Sequence, residues 1–380
     1  MRVLVVGAGP AGGAAAIALA RGGADVRIVE RSAWPRTKTC GDGISPEGVR
    51  VASALGVDLS DRLPLPRGTL SAPSRVAFTG GWPASLPWGA IVERREFDDR
   101  LVRAATAAGA RFESRADVRE IVPGPRTASV RARLGGSGET REDADVVLLA
   151  EGATGGLGAK LGFGKHRSRL IAIRGYVRTE RDLDPSFGLH FDAAFNPGYA
   201  WIFPVDRHFA NVGILVDERY ARGHDLRAEL DMWLRESPFA RAALGAAPAL
   251  EQLAGGIIPT GRPRRTVGNV FALGDAAGVA DPFSAEGISQ AMETGRLAAQ
   301  ALLGNGGDPV RAARTYARAL GRFDANARGS RRMRLVFPFV VDPLTKRAVN
   351  HPALAQHLSS EGFFRNSSVT AFVWGIVRTW

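Results

Sequence analysis

Cysteine is nearly absent. Cys40 stands alone among 380 residues, which excludes an internal disulfide and fits a reducing compartment. Lysine is scarce too: only Lys38, Lys160, Lys165 and Lys346 occur, so the formal net charge of +12 is carried almost wholly by arginine. Such a bias, with abundant Ala and Gly, is what a GC-rich genome produces. The other reading is electrostatic, a basic face for an anionic membrane or an acidic electron donor. No apolar run reaches 18 residues, and the longest candidates, 335–341 and 369–377, are too short to cross a bilayer. Residues 1–6 run straight into a strand pattern, so no signal peptide is expected. The expected location is the cytoplasm, with peripheral membrane contact left open. Helix-turn-helix, zinc and RNP signatures are missing, which argues against nucleic acid. His166, His190, His208, His224, His351 and His357 show no metal-ligand spacing, and no metal is expected. Neither a Gly-x-Ser-x-Gly elbow nor a Gly-Lys-Ser/Thr phosphate loop occurs.

What is present centres on a glycine-rich turn. Arg2–Val6 is a β-branched run of the kind that forms a buried parallel strand. Gly7-Ala8-Gly9-Pro10-Ala11-Gly12 follows, and Ala14–Arg21, closed by Gly22-Gly23, is helical. In this G-x-G-x-x-G spacing Gly7 permits the tight turn and Gly9 lets the backbone approach a pyrophosphate. Gly12 lets helix and strand pack closely, and the helix N-terminus stabilises phosphate charge. Glu30 ends the next strand, 23 residues after Gly7, where an acid accepts hydrogen bonds from a ribose diol. Pro10, Ala11 and Arg31 complete the candidate dinucleotide contacts on this side.

Far along the chain, residues 269–278 read Asn-Val-Phe-Ala-Leu-Gly-Asp-Ala-Ala-Gly, with Glu286-Gly287-Ile288 at the start of a helix expected over 284–303. The two segments together resemble the glutathione-reductase-type, p-hydroxybenzoate-hydroxylase-like flavoproteins. The resemblance implies FAD. After the tight Gly274, Asp275 would bind the ribityl chain, and the following helix, near whose start Gly287 and Ile288 lie, would aim its positive end at the flavin. By the same resemblance Arg95, or Arg94 beside it, contacts the cofactor, and the Val118 backbone meets the adenine. Ala150-Glu151-Gly152-Ala153 resembles the Asp-Gly motif of flavin monooxygenases, with Glu in place of Asp. No second G-x-G-x-x-G exists, so a separate NAD(P)H domain is not expected.

Two more motifs narrow the family. Lys38-Thr39-Cys40-Gly41-Asp42-Gly43 and Tyr199-Ala200-Trp201-Ile202-Phe203-Pro204 resemble the Lys-x-Cys-Gly loop and the Tyr-x-Trp-x-Phe-Pro motif of geranylgeranyl reductases. This resemblance covers roughly residues 1–305. It implies reduction of C=C bonds in an isoprenoid or similarly apolar substrate, with Cys40 and Gly41 near the flavin. Cys40 or a water would supply the proton, and NAD(P)H or a ferredoxin-like protein the electrons. Strand alternation puts Tyr199, Trp201 and Phe203 on one face, a wide apolar wall. These three and Pro204 form the candidate substrate surface; Cys40, Tyr199 and Trp201 form the candidate catalytic set. Arg262/Arg264/Arg265 and Arg328/Arg331/Arg332/Arg334 are candidate docking clusters for an electron donor or anionic lipid. The same scaffold serves flavin monooxygenases acting on aromatic or polyketide natural products, and that alternative stays open. A flavin halogenase fits less well, because it needs a lysine after the first Rossmann unit and residues 39–159 contain none. A non-catalytic flavin-binding protein is the remaining reading.

The expected fold is α/β: a Rossmann-type FAD-binding domain with an inserted antiparallel-sheet substrate domain and a helical C-terminal tail. Residues 1–63, 91–168 and 255–310 are assigned to the first, 64–90 and 169–254 to the second, and 311–380 to the tail. The tail aromatics Phe363, Phe364, Phe372, Trp374 and Trp380 suit cavity closure, a dimer contact or a membrane.

Overall fold

The structure is a computed structural model that describes residues 1–124, 126–134, 138–262, 264–363 and 376. The chain opens with β1 (Arg2–Val6), α1 (Pro10–Arg21) and β2 (Asp25–Glu30), the βαβ start that the glycine turn dictates. The short β3 (Gly43–Ile44) and α2 (Pro46–Ala54) follow, then the hairpin β4 (Arg67–Ser71) and β5 (Ala77–Gly81), and β6 (Ala90–Ile91). Next come α3 (Arg94–Ala107), β7 (Arg111–Ser114), β8 (Ala116–Val122), β9 (Ala128–Leu134), β10 (Gly138–Ala144), β11 (Val146–Leu149) and α4 (Leu157–Lys160). The middle of the chain supplies β12 (Ser168–Arg178), β13 (Ser186–His190), β14 (Tyr199–Pro204), β15 (Phe209–Asp217), α5 (Glu218–Ala221), α6 (Leu226–Glu236), α7 (Pro238–Leu244) and β16 (Leu250–Thr260). β17 (Thr266–Val267), β18 (Val270–Ala272), α8 (Ile288–Gly304), α9 (Pro309–Ala348) and α10 (Pro352–Phe363) complete it.

Two main sheets result. The first has the order β17-β18-β11-β1-β2-β7 and is parallel except at β17. The inner residues of β1 and all four of β11 are buried, so these strands read as unbroken apolar runs. α1, α3 and α8 share one core with this sheet and with the three-stranded β8–β10. The second sheet has the order β16-β12-β15-β14-β13-β4-β5, antiparallel except where β13 meets β4. Its period of two separates two cores. Tyr199, Trp201, Phe203 and Leu215 join the inner side of α9 (Phe337, Val341, Leu344), whereas Ala200, Ile202, Val212 and Ile214 pack on Leu230 and Trp233 of α6.

The mixed α/β class with a helical C-terminal region is as expected; several boundaries are not. The expected boundary between residues 254 and 255 cuts through β16, an 11-residue strand paired along β12. Gly255-Gly256 marks no linker: the pair lies inside the ladder, opposite Ala172 and Ile173. β7 and β8 follow one another directly yet lie in different sheets, because Arg115 takes φ +57° and turns the chain. α8 starts at Ile288, not residue 284. The Asp281 carboxylate holds the backbone N–H groups of Phe283 and Ser284, each at 2.8 Å, and Ala285 has φ +58°, so this turn delays the helix. Residues 135–137 and the tail aromatics Phe364, Phe372, Trp374 and Trp380 lie outside the described residues. Among the described residues no helix is long and apolar enough to cross a membrane.

α8 lies directly on α1. A Cβ at Gly295 would stand 2.3 Å from the Ala11 carbonyl oxygen and 2.8 Å from the Ala15 nitrogen. Alanine there gains about 1 kcal/mol of helix propensity but forces the two backbones apart, at about 1–3 kcal/mol. Gly295→Ala is therefore expected to lower the thermal midpoint by several degrees; a midpoint at or above the parent's in differential scanning calorimetry contradicts this packing.

Candidate functional site

One cavity of about 590 Å³ runs between the two sheets. Its first wall is the turn between β1 and α1. Gly7 takes φ +106°, and a Cβ there would meet the Ala150 carbonyl oxygen at 2.3 Å, so only glycine fits. Gly9 is the N-cap of α1 and carries no side-chain cap, which leaves the first N–H groups of the helix open to the cavity that Gly9, Pro10 and Ala11 line. Gly12 does not line it. A Cβ at Gly12 would fall 2.0 Å from the Gly7 carbonyl oxygen, so its bareness lets helix and turn touch. Glu30, only 5% exposed, accepts the backbone N–H of Ala8 at 3.2 Å and of Ser32 at 3.1 Å, and pairs with Arg36 at 3.3 Å. Arg31 and Val118 line the same end.

Of the two adjacent arginines that the sequence offers on α3, the structure puts Arg94, not the preferred Arg95, on the cavity. Arg95 is exposed and off the cavity; Arg94, 4% exposed, lines it. The reason is helical phase. α3 buries positions 94, 97, 98, 101 and 102, and residue 95 falls on the outer face. Arg94 makes a bidentate pair with Asp98 at 2.9 and 2.8 Å, and Asp98 also holds Arg36 at 2.7 Å. Burial works against the Arg94 charge, and the Asp98 carboxylate supports it.

At the other end Gly274 and Asp275 line the cavity, and Asp275 pairs with Lys38 at 3.1 Å. Gly287, the N-cap of α8, again offers no side-chain cap, whereas α2, α6 and α9 are capped by Ser45, Asp225 and Asp308. α1 and α8 thus present glycine-capped N-termini to the cavity, while α3, whose first residue Arg94 also lines it, has Glu93 at its N-cap and no side-chain cap. Gly287 and Ile288 line it, as does Glu286. Burial pushes the Glu286 carboxyl up to about 7, against hydrogen bonds from Ser289, Ser45 and Gln290 that pull it down. Glu151 accepts the N–H groups of Leu157 at 2.9 Å and Gly158 at 2.8 Å, and so caps α4.

The third wall is aromatic. Tyr199, Trp201 and Phe203 all face the cavity; Pro204 is buried but does not line it. Trp201 sits opposite Gly213 of β15, where a Cβ would strike the indole ring at 2.4 Å. The Cys40–Gly43 loop lies against this wall, since Cβ atoms at Gly41 and Gly43 would meet Trp201 and Phe203 within 3.4–3.6 Å. Cys40 is partly exposed to the cavity. Burial away from bulk water pushes its thiol up, while the Arg94 guanidinium pulls it down.

The sequence reading did not single out Arg36, Glu286, Arg174, Tyr176 or Asn211. For Arg174 and Asn211 a signal existed: each is a polar residue inside an otherwise apolar strand. Of the seven arginines read as docking faces, Arg262, Arg265 and Arg334 are internal braces, whereas Arg264, Arg328 and Arg332 are exposed. Arg262 donates to the carbonyl oxygens of Ala276 (2.6 Å) and Gly164 (3.2 Å). Arg265 pairs with Asp324 at 2.8 and 2.7 Å, and Arg334 donates to the carbonyls of Pro197 and Pro282. Burial recruits them because these carbonyls would otherwise lack donors.

A glycine cradle, a buried acid at the end of β2 and two uncapped helix N-termini on one cavity fit a dinucleotide with a second, anionic ring system. Comparison with known proteins agrees. Residues 1–187 match the family model described as "FAD binding domain". Over 318 residues the chain is 34% identical to menaquinone reductase of Mycobacterium tuberculosis, covering 79% of this chain and 76% of that one. It is 33% identical to digeranylgeranylglycerophospholipid reductase 1 of Methanopyrus kandleri, covering 78% and 79%. The fold matches a geranylgeranyl bacteriochlorophyll reductase-like protein of Thermoplasma acidophilum with a TM-score of 0.82, at 21% identity over 100% of this chain and 96% of that one. From the glycine cradle to the aromatic wall, then, this chain is an FAD-dependent oxidoreductase and belongs to the geranylgeranyl reductase-like family.

Proposed function

We propose that this enzyme reduces C=C bonds of a prenyl or similarly apolar substrate. The observation that carries the reading is the aromatic wall of Tyr199, Trp201 and Phe203 set against the Cys40–Gly43 loop in the cavity onto which α1 and α8 open. The FAD-binding residues would be the Gly7–Gly12 turn and α1 N-terminus for the phosphates, Glu30 for the ribose, Val118 for the adenine, Arg94 beside Cys40, and Asp275 with Gly287 and Ile288 for the ribityl and flavin end. When bound and reduced, FAD supplies hydride. The chain supplies the rest. The wall orients an apolar chain and excludes water, which such a poor hydride acceptor requires, and the Cys40 thiol holds the proton for the second carbon. Its upward shift suits this role, because a thiol that stays protonated is the form that donates. We assign the substrate-binding part to the seven-stranded sheet, residues 64–90 and 168–260. Electrons come from NAD(P)H or a ferredoxin-like donor. The relatives named as reductases of menaquinone and of an isoprenoid lipid support the substrate class.

The outer face of α9 suits contact with an anionic membrane that holds such a substrate. Leu335 (72% exposed), Val336 and Phe339 (82% exposed) form an apolar stripe, with the exposed Arg328 and Arg332 before it and Lys346 after it. The opposite side of the helix packs on the aromatic core.

Three outcomes are expected. Anaerobic incubation of the reduced enzyme with prenyl quinones and prenyl diphosphates yields products heavier by two hydrogens per double bond in mass spectrometry. A gain of one oxygen under air, and nothing under nitrogen, would establish oxygenation instead. Arg94→Lys keeps the charge but loses the fork, and lowers FAD retention on gel filtration about tenfold, while Arg95→Ala retains FAD like the parent; equal retention in both variants removes Arg94 from the site. Leu335→Ser with Phe339→Ser lowers co-sedimentation with phosphatidylglycerol-containing vesicles several-fold; unchanged binding would rule out this face.

A further inference from the structure

Asp42 is a buried carboxylate on the cavity that the proposed reaction leaves unused. Asp42 lies two residues past Cys40, is 1% exposed and takes φ +61°, a conformation that Asp tolerates better than most residues. Its Oδ2 accepts the Tyr176 hydroxyl of β12 and, at 2.9 Å, the Asn211 amide of β15. The same Asn211 amide donates to the Cys40 carbonyl oxygen at 3.0 Å, and the Asn211 side-chain oxygen accepts the Trp201 indole N–H at 2.9 Å. A single asparagine thus ties the cysteine loop, the carboxylate and the aromatic wall together. The Asp42 carbonyl oxygen accepts the Val92 N–H at 3.0 Å, and Arg174 stacks on the Tyr176 ring, 4.6 Å from its centroid. The charged groups acting on the loop are Arg94 from α3, Arg174 from β12 and Lys38 from the loop itself.

We propose that Asp42 is a positioning residue for proton delivery: clamped by Tyr176 and Asn211, its carboxylate fixes the Cys40 loop on the aromatic wall and keeps the Cys40 thiol neutral and proton-bearing. The inference rests on the proposed function, which makes Cys40 the acid. In the step it serves, the Cys40 S–H bond breaks and a C–H bond forms on one alkene carbon. FAD, when bound and reduced, would supply the electron pair for the other C–H bond as hydride, and the Cys40 thiolate would regain its proton from solvent. Burial is the largest influence holding the thiol neutral; Arg94, the Asp42 backbone N–H and Lys38 favour the thiolate, which cannot give a proton, and the negative charge of the Asp42 carboxylate opposes them alongside burial. Burial raises the Asp42 carboxyl to about 6, with the Tyr176 and Asn211 hydrogen bonds pulling it back. It is therefore charged above that pH, throughout the range in which a thiol ionises. Its repulsion is lost only as the pH falls through about 6, where the thiol is neutral without help.

The test reads Cys40 directly. The flavin-loaded protein is alkylated with iodoacetamide across a pH series, with Cys40→Ser as the unlabelled blank. Asp42→Asn keeps the shape, still accepts the Tyr176 hydroxyl and carries no charge. Its labelling midpoint is expected to fall by about one pH unit, with alkylation near pH 7.5 about tenfold faster. Tyr176→Phe keeps the charge and is expected to keep the parent's midpoint. A folded, flavin-bound Asp42→Asn with the parent's midpoint overturns the proposal, and so does a Tyr176→Phe midpoint shifted as far as that of Asp42→Asn. Asp42→Ser, neutral and smaller, gives the same reading if Asp42→Asn does not fold. Because labelling does not depend on turnover, this result and the product-mass result fail separately.

Discussion

The bare contact between α1 and α8 is the constraint on which the site depends. Where α8 crosses α1, Gly295 has no side chain, and the Ala11 backbone fills the space. Two helices from opposite ends of the chain can then approach closely enough for both N-termini to open on one cavity. Each N-terminus carries unsatisfied N–H groups and a partial positive charge. Gly9 and Gly287 leave those groups uncapped, so an anionic ligand completes what Ser or Asp completes on α2, α6 and α9. The openness of these two N-termini to the cavity is thus a consequence of backbone packing, with Glu30 and Asp275 lining the cavity's two ends.

The second dependence is on Asp98. It is fully buried and holds Arg94 and Arg36 together, and Arg36 in turn reaches Glu30. Two cations on one carboxylate give a network whose members lock one another's rotamers, a sounder arrangement in low dielectric than an isolated pair. It also links the Glu30 end of the cavity to the cysteine loop, since Arg94 lies against Cys40.

The fold alone does not choose the chemistry, because one scaffold of this kind serves several flavin reactions. The local inventory narrows the choice. Glu151 is engaged in capping α4. The third wall of the cavity is built from rings, with Gly213 making room for the Trp201 indole. An apolar wall, a partly exposed thiol and a nearby clamped carboxylate suit transfer of hydride and proton to carbon.

The parts legible in the sequence were those written in local spacing. The Gly7–Gly12 turn, Glu30 at the end of β2, the Gly274-Asp275 strand end and the alternation of Tyr199, Trp201 and Phe203 each follow from periodicity or backbone sterics over a few residues. So do the α/β class and the helical C-terminal region. Tertiary structure decided what depends on helical phase and on pairing across the chain. It placed Arg94 rather than Arg95 on the cavity, because α3 buries position 94 and turns 95 outward. It ran β16 unbroken through Gly255-Gly256 and spent the buried arginines on internal carbonyls and Asp324. It also joined Asp42 to Tyr176 and Asn211 across 134 and 169 residues. Spacing along a chain fixes which way neighbouring residues point; only the folded register decides which distant ones meet.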